Sequence, residues 1–111
     1  MNKKDRCPVV DNAQDFLEML KANKRVIALF YASWCPFCVK ILPSFKKHAA
    51  AEAGVLLLVK DDREMMADQY DVSVYPTVLF FEMGSVAKRL DGILGRGISA
   101  GQLDDFIHSC A

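Results

Sequence analysis

The chain has 111 residues, 14 basic against 14 acidic side chains, 52% apolar residues and four cysteines. That length and composition describe one globular domain, residues 1–111, able to bury a hydrophobic core without disulfide staples. A formal net charge of zero with the two signs interleaved argues against a protein that neutralises nucleic-acid phosphates or coats an anionic membrane.

The first six residues, Met1 to Arg6, are basic but lead into Cys7-Pro8 rather than the apolar middle of a secretory signal. The longest apolar runs, Val26–Ala32 and Val55–Val59, fall far short of the roughly 18 residues a membrane span requires. The expected compartment is the cytoplasm, where cysteines serve catalysis or metal binding more often than structure. A short strand is expected at Val9-Val10. Asp11 or Asn12 then caps a first helix with Ala13, Phe16, Leu17 and Leu20 on one face, and Gln14 completes a capping box if Asp11 is the cap. Arg25 to Tyr31 reads as a strand buried on both faces. After Trp34 the period changes: Cys38, Ile41, Leu42, Phe45 and Ala49 mark a long amphipathic helix that ends near Gly54 and is kinked by Pro43. Val55–Val59 is a second apolar strand, Arg63–Tyr70 a short polar helix and Thr77–Glu82 a third strand. Met83-Gly84-Ser85 turns into a partner strand at Val86–Leu90. Gly92, Gly95 and Gly97 mark a loop. Ser99 with Gln102 forms a capping box for a last helix whose stripe is Leu103, Phe106, Ile107 and Cys110. This order predicts an α/β fold with a mixed sheet covered on both faces.

Chemistry concentrates at Trp34-Cys35-Pro36-Phe37-Cys38, where the first long strand hands over to the long helix. Two cysteines three residues apart on a helix's first turn can close a small disulfide ring, and beside a βαβ pattern that spacing is a redox motif. Cys35 stands at the helix N-terminus, where unpaired N–H groups and the positive dipole end favour thiolate over thiol. Pro36 suits the first helical position, whose N–H the helix leaves unpaired anyway. Cys38, facing inward one turn on, is placed to attack a mixed disulfide at Cys35. Structural zinc is the competing reading. It commonly needs two close ligand pairs, whereas Cys7 and Cys110 stand alone and His48 and His108 lack finger-like spacing, so no metal is expected. A purely structural Cys35–Cys38 bond would waste an exposed position. Val74-Tyr75-Pro76-Thr77, just ahead of an apolar strand, reads by itself only as a strand boundary.

Taken together, Phe30-Tyr31-Ala32-Ser33-Trp34-Cys35, the helix proline Pro43, Tyr75-Pro76-Thr77, Phe80-Phe81, Gly84, Gly92 and Gln102-Leu103 make nearly the whole chain resemble the thioredoxin family. The resemblance implies the thioredoxin fold, a central mixed β-sheet flanked by helices on both faces, with Pro76 in cis against the disulfide. It also implies that the Tyr75 backbone offers strand-like hydrogen bonds to a substrate peptide. By the same resemblance Cys35 and Cys38 are catalytic. Cys35 attacks a disulfide of a client protein, and Cys38 resolves the mixed disulfide, leaving an oxidised Cys35–Cys38 pair. That redox-active pair takes the place of any bound cofactor. A separate electron donor such as a thioredoxin reductase restores the dithiol, and the chain acts as a monomer. Trp34, Pro36, Phe37, Tyr75 and Pro76 form the substrate-binding rim.

The departures from the family pattern matter. Leu29 stands where thioredoxins usually carry a buried aspartate six residues before the first cysteine, and Leu57 where they carry a lysine on the neighbouring strand. The two read as a carboxylate and an ammonium lost together, which avoids leaving one buried charge unpaired. Resolution by Cys38 is then less assisted. Pro36-Phe37 replaces Gly-Pro between the cysteines and resembles the glutaredoxin dipeptide. It adds no cation or histidine, so a reduction potential of roughly −200 to −270 mV is expected rather than that of a strong oxidant. Gly95-Arg96-Gly97-Ile98 reads as an inserted loop without functional consequence. Cys7 reads as a free thiol in a frayed terminus, Cys110 as packing, and His48 and His108 as solvated residues of polar helix faces. Disulfide reduction is the leading activity. Disulfide oxidation or isomerisation stays open because Tyr31 and Tyr75 resemble the protein disulfide isomerase pattern. A non-catalytic binding module stays open because of Leu29 and Leu57.

Overall fold

A computed structural model of the chain describes residues 7–50 and 55–110. Among these residues five strands form one sheet in the order β1-β3-β2-β4-β5, with β1 at Val9–Val10, β2 at Arg25–Tyr31, β3 at Val55–Lys60, β4 at Thr77–Glu82 and β5 at Ser85–Leu90. β1 and β2 run parallel to β3, and β4 runs antiparallel to β2 and β5, so the sheet is mixed. The unbroken apolar run of β2 is explained by its central position, with Val26 to Phe30 buried throughout. The edge strand β5 is almost wholly exposed and carries Lys88 and Arg89, charges that discourage edge-to-edge pairing.

Four helices cover the two faces: α1 at Ala13–Ala22, α2 at Pro36–Lys46, α3 at Met65–Gln69 and α4 at Ala100–Cys110. On one face Phe16 and Leu20 of α1 and Met66 and Ala67 of α3 pack on Val26, Ala28, Phe30 and Leu57. Phe16 meets Phe30, Tyr70 and Phe81 edge-on at 5.6 Å each, the geometry that aromatic quadrupoles favour. On the other face Ile41 and Phe45 of α2 and Leu103, Ile107 and Cys110 of α4 pack on Ile27, Leu29, Leu56 and Leu58. Helices on both faces of a mixed sheet is the architecture expected.

Several local readings change. Asn12 is the cap of α1, accepting the Asp15 N–H at 2.8 Å, so the alternative box with Asp11 as cap is not used. Leu17 is exposed, because Phe16 and Leu20 define the inward face and Leu17 falls beside it. The long helix ends its α-form at Lys46 and tightens into a 3-10 turn over Lys47–Ala50, with Pro43 inside α2. The Ala49 side chain and Gly54 lie outside the described residues. α3 is shorter than Arg63–Tyr70, and it is not uniformly polar, since Met66 and Ala67 are buried. The capping box of α4 forms as read: Ser99 Oγ accepts the Gln102 N–H and Gln102 Oε1 accepts the Ser99 N–H.

The paired loss at Leu29 and Leu57 is corrected by the register. Leu29 lies opposite Leu58 and Leu57 opposite Ala28. Alternation along a strand therefore sends the two leucines to opposite faces, Leu29 among the α2 residues and Leu57 against the α1 layer. Both are fully buried, and in this chain they are separate packing positions.

Candidate active site

The motif sits at the C-terminal end of β2, between two parallel strand ends and the start of α2, the side of an α/β sheet where loops gather. A turn closed by the Cys35 N–H to the Ala32 carbonyl at 3.2 Å delivers the chain to the helix. Cys35 is the N-cap, with extended backbone at φ −97° and ψ 112°, and Pro36 takes the first helical position. The Cys35 Sγ accepts the Cys38 N–H at 3.3 Å, a first-turn donor that also reaches the Cys35 carbonyl at 3.1 Å. The same thiol donates to the Tyr75 carbonyl at 3.6 Å. Two segments forty residues apart in sequence therefore meet at one sulfur, and the Tyr75–Pro76 peptide is cis, as the resemblance implied.

Cys38 is fully buried beneath Cys35, beside Ala32, and Cys35 itself is only 6% exposed rather than at the exposed position expected, because Phe37 and Tyr75 pack against it; both cysteines are free thiols in this structure. Burial above all, then its hydrogen bond with Cys35, pushes the Cys38 thiol up to about 12. A raised value keeps the thiol protonated below it, so at pH 8 Cys38 is held as the thiol. Iodoacetamide at pH 8 is accordingly expected to alkylate Cys35 and spare Cys38. Peptide mass mapping that finds equal labelling of the two refutes this.

The rim residues separate by exposure. Trp34 is 58% exposed, Pro36 is exposed, Phe37 and Tyr75 are half-buried, and Pro76 is buried. Trp34 lies 5.9 Å from the Tyr75 ring, and its indole N–H donates to the Asp62 carbonyl at 3.3 Å. Phe37 and Tyr75 pack against the cluster of Ala32, Cys35 and Cys38. All five are thus gathered around the motif, with Pro76 beneath the surface rather than on it.

The structure adds residues that the sequence reading passed over. Asp61, only 3% exposed, follows β3 and accepts the Met66 N–H at 3.1 Å and the Ala67 N–H at 2.7 Å, capping α3 from outside the helix. Its Oδ2 also accepts the Tyr75 hydroxyl at 2.8 Å. One buried carboxylate therefore fixes both the start of α3 and the residue whose carbonyl faces Cys35. Burial, and next Asp61, push the Tyr75 phenol upward, so it remains a donor. The Asp62 carboxylate accepts from the Ser33 N–H and hydroxyl, both at 2.7 Å, and these bonds hold its carboxyl below the ordinary range. Tyr31 is pushed up chiefly by burial and then by Asp62 and Cys38. Buried Thr77 donates to the Val74 carbonyl at 2.6 Å and accepts the Gly92 N–H at 3.3 Å. Gly92 itself is required by space, since a Cβ there would lie 2.2 Å from the Pro76 carbonyl oxygen. An acidic pair directly after a buried strand and just before a helical pattern was the available sign for Asp61 and Asp62.

The remaining candidates lie elsewhere. His48 is half-buried and pairs with Asp104 at 2.7 Å, linking the 3-10 turn to α4, with the His108 ring 6.5 Å away, so it is not simply a solvated residue. Cys110 is buried on the α4 stripe, and burial raises its thiol. Cys7 packs against the same core layer rather than fraying. Among the described residues no helix is long and apolar enough to cross a membrane.

The thioredoxin family model matches residues 8–108, and the chain belongs to the thioredoxin family. It is 35% identical over 81 residues to protein disulfide-isomerase A5 of Bos taurus, covering 68% of this chain and 16% of that protein. It is 30% identical over 101 residues to the bifunctional thioredoxin reductase/thioredoxin of Mycobacterium leprae (strain TN), covering 88% of this chain and 22% of that protein. The chain therefore spans only about a sixth to a fifth of the length of these curated relatives. The crystal structure of the reduced Schistosoma mansoni thioredoxin pre-protein superposes with a TM-score of 0.81 at 25% identity, covering 95% of this chain and 98% of that one.

Proposed function

We propose that the chain is a thiol-disulfide oxidoreductase acting as a protein-disulfide reductase. The observation that carries this reading is the Cys35 sulfur at the N-cap of α2, hydrogen-bonded to the Cys38 N–H and the Tyr75 carbonyl, with Cys38 directly beneath. The Cys35 thiolate attacks one sulfur of a client disulfide. The client S–S bond breaks, its leaving thiolate takes a proton, and a Cys35–client disulfide forms. Cys38 then gives up its proton and attacks Cys35, and the second client thiol leaves. Two electrons and two protons pass to the client, and Cys35–Cys38 is the oxidised product. A reductase must return the electrons, and the fusion of thioredoxin reductase to thioredoxin in the Mycobacterium leprae relative supports that kind of donor. A donor of that kind maintains dithiols in a reducing cytoplasm, the compartment this reading assigns. The Trp34, Pro36, Phe37, Tyr75 and Pro76 rim holds the client.

The second reading, disulfide oxidation or isomerisation, is favoured by the similarity to protein disulfide-isomerase A5. Equilibration with glutathione buffers separates the two. The expected potential is roughly −200 to −270 mV, and a value near −120 mV would replace reduction by oxidation. Failure to reduce insulin disulfides with dithiothreitol as donor would leave a binding module instead.

A further inference from the structure

The zero net charge of the chain conceals an uneven distribution around Cys35. On the Phe37 side of the motif, a groove of about 690 Å³ runs between α2 and the loop ahead of α4. Its floor is apolar, formed by Phe37, Ile41 and Ile98, its charged side chains are Lys40 and Arg96, and no acidic residue lines it. Among the described residues neither cation is engaged in an ion pair or hydrogen bond. α4 begins at the same groove with no acidic residue in its first turn, which adds the positive end of its dipole.

The loop that supplies Arg96 is built rather than slack. The Ile93 N–H donates to the Gly97 carbonyl at 3.1 Å, and the Gly97 and Arg96 N–H groups both donate to the Ile93 carbonyl at 2.8 Å. Gly95 at φ +82° and Gly97 at φ +72° occupy the left-handed region that closes this turn. Gly97 is buried against Phe37 so closely that a Cβ there would lie 2.8 Å from the Phe37 Cβ. The loop is thus seated on the residue that packs against Cys35 and Cys38, and it carries Arg96 to the groove beside Phe37. The loop also presents Leu94, which is 85% exposed.

We propose that this groove is a specificity site for the flanking residues of the client. It receives an extended client segment that carries an aspartate or glutamate within a few residues of the attacked cysteine. The apolar floor takes the stem of that side chain, and Lys40 and Arg96 meet the carboxylate. The Trp34 side, where Asp62 and Asp61 stand with Lys60 and Arg63, is mixed in charge and offers no matching preference. This inference rests on the disulfide-reductase reading and names the substrates that reading leaves open.

The test is single-turnover mixing of the reduced full chain with three disulfides, followed by the fluorescence of Trp34, the chain's one tryptophan. Two are peptides of one sequence with an internal disulfide flanked by either Glu or Lys, and the third is uncharged bis(2-hydroxyethyl) disulfide. At low ionic strength the Glu-flanked peptide is expected to react about threefold to tenfold faster than the Lys-flanked one, and added salt to shrink that ratio. The ratio is expected to fall towards one in Arg96→Gln and to invert in the double variant Lys40→Glu/Arg96→Glu. Equal rates for the two peptides in the native chain, or an unchanged ratio in the double variant, overturn the inference. A chain that reduces none of the three, the uncharged disulfide included, refutes the reductase reading itself.

Discussion

Cys38→Ser is expected to accumulate a covalent adduct with client protein, and Cys35→Ser to form none. The asymmetry follows from depth. Cys38 is 0% exposed and its thiol is pushed up to about 12, whereas Cys35, at 6%, is the N-cap of α2 with its sulfur against the Tyr75 carbonyl. In the proposed mechanism Cys35 is the entering nucleophile and Cys38 releases the product. Loss of either should lower multiple-turnover reduction by at least about three orders of magnitude. Mass spectrometry of the unreduced mixture checks this: an adduct on Cys35→Ser, or none on Cys38→Ser, would reverse the assigned roles. The pace of release is open to the same experiment. Leu29 fills the α2 side of the sheet with hydrocarbon, so no carboxylate stands there to take the Cys38 proton. The phenols of Tyr31 and Tyr75 are both pushed upward, so both stay protonated and cannot accept that proton at neutral pH. Native mixed disulfides are therefore expected to persist longer than in Leu29→Asp, and equal stopped-flow resolution rates would dispose of that idea.

The largest effect on stability is expected at a residue that takes no part in electron transfer. Asp61→Ala leaves the Met66 and Ala67 N–H groups without their buried acceptor, while the Tyr75 hydroxyl keeps only the residue 61 carbonyl, at 3.1 Å. At about 1–3 kcal/mol for each of these two orphaned donors, with partial relaxation, the loss should reach about 2–4 kcal/mol in urea unfolding. Tyr75→Phe removes the hydroxyl's contacts with both the Asp61 carboxylate and the Asp61 carbonyl and should cost about 1–2 kcal/mol. Its diagnostic effect is kinetic. With the phenol unanchored, the Tyr75 carbonyl that faces Cys35 is less fixed, so reduction of a protein client should suffer more than reduction of bis(2-hydroxyethyl) disulfide. An equal change for both substrates would make Asp61 a helix cap and nothing more.

Much of the site was legible because its signals are local. Cys35 and Cys38 occupy one helical turn, Pro36 fits the first helical position, and the switch from strand to helical period marks where the motif must lie. Tyr75-Pro76 gained meaning only through resemblance, since a proline before a strand is ordinary by itself. Asp61 was passed over because its partners are a short helix downstream and a side chain fourteen residues away, neither of which any periodicity connects. Leu17 was misplaced because a helix stripe drawn from sequence does not show how wide the covering layer is.

By itself, the sequence determined the order and kind of the elements, the buried character of β2 and β3, the redox motif and its place at the head of α2. These depend on spacing, on capping residues and on hydrophobic period, which act within a few residues. Tertiary structure alone decided which strands pair, that Leu29 and Leu57 face opposite layers, that Asp61 reaches Tyr75, and that the Gly95–Gly97 turn rests on Phe37. Those facts arise from contacts between segments distant in the chain, where register, packing and close backbone approach rather than local preference select the partner. The neutral charge is also of this kind: composition sums it to zero, and only the fold gathers Lys40 and Arg96 into one groove beside Phe37.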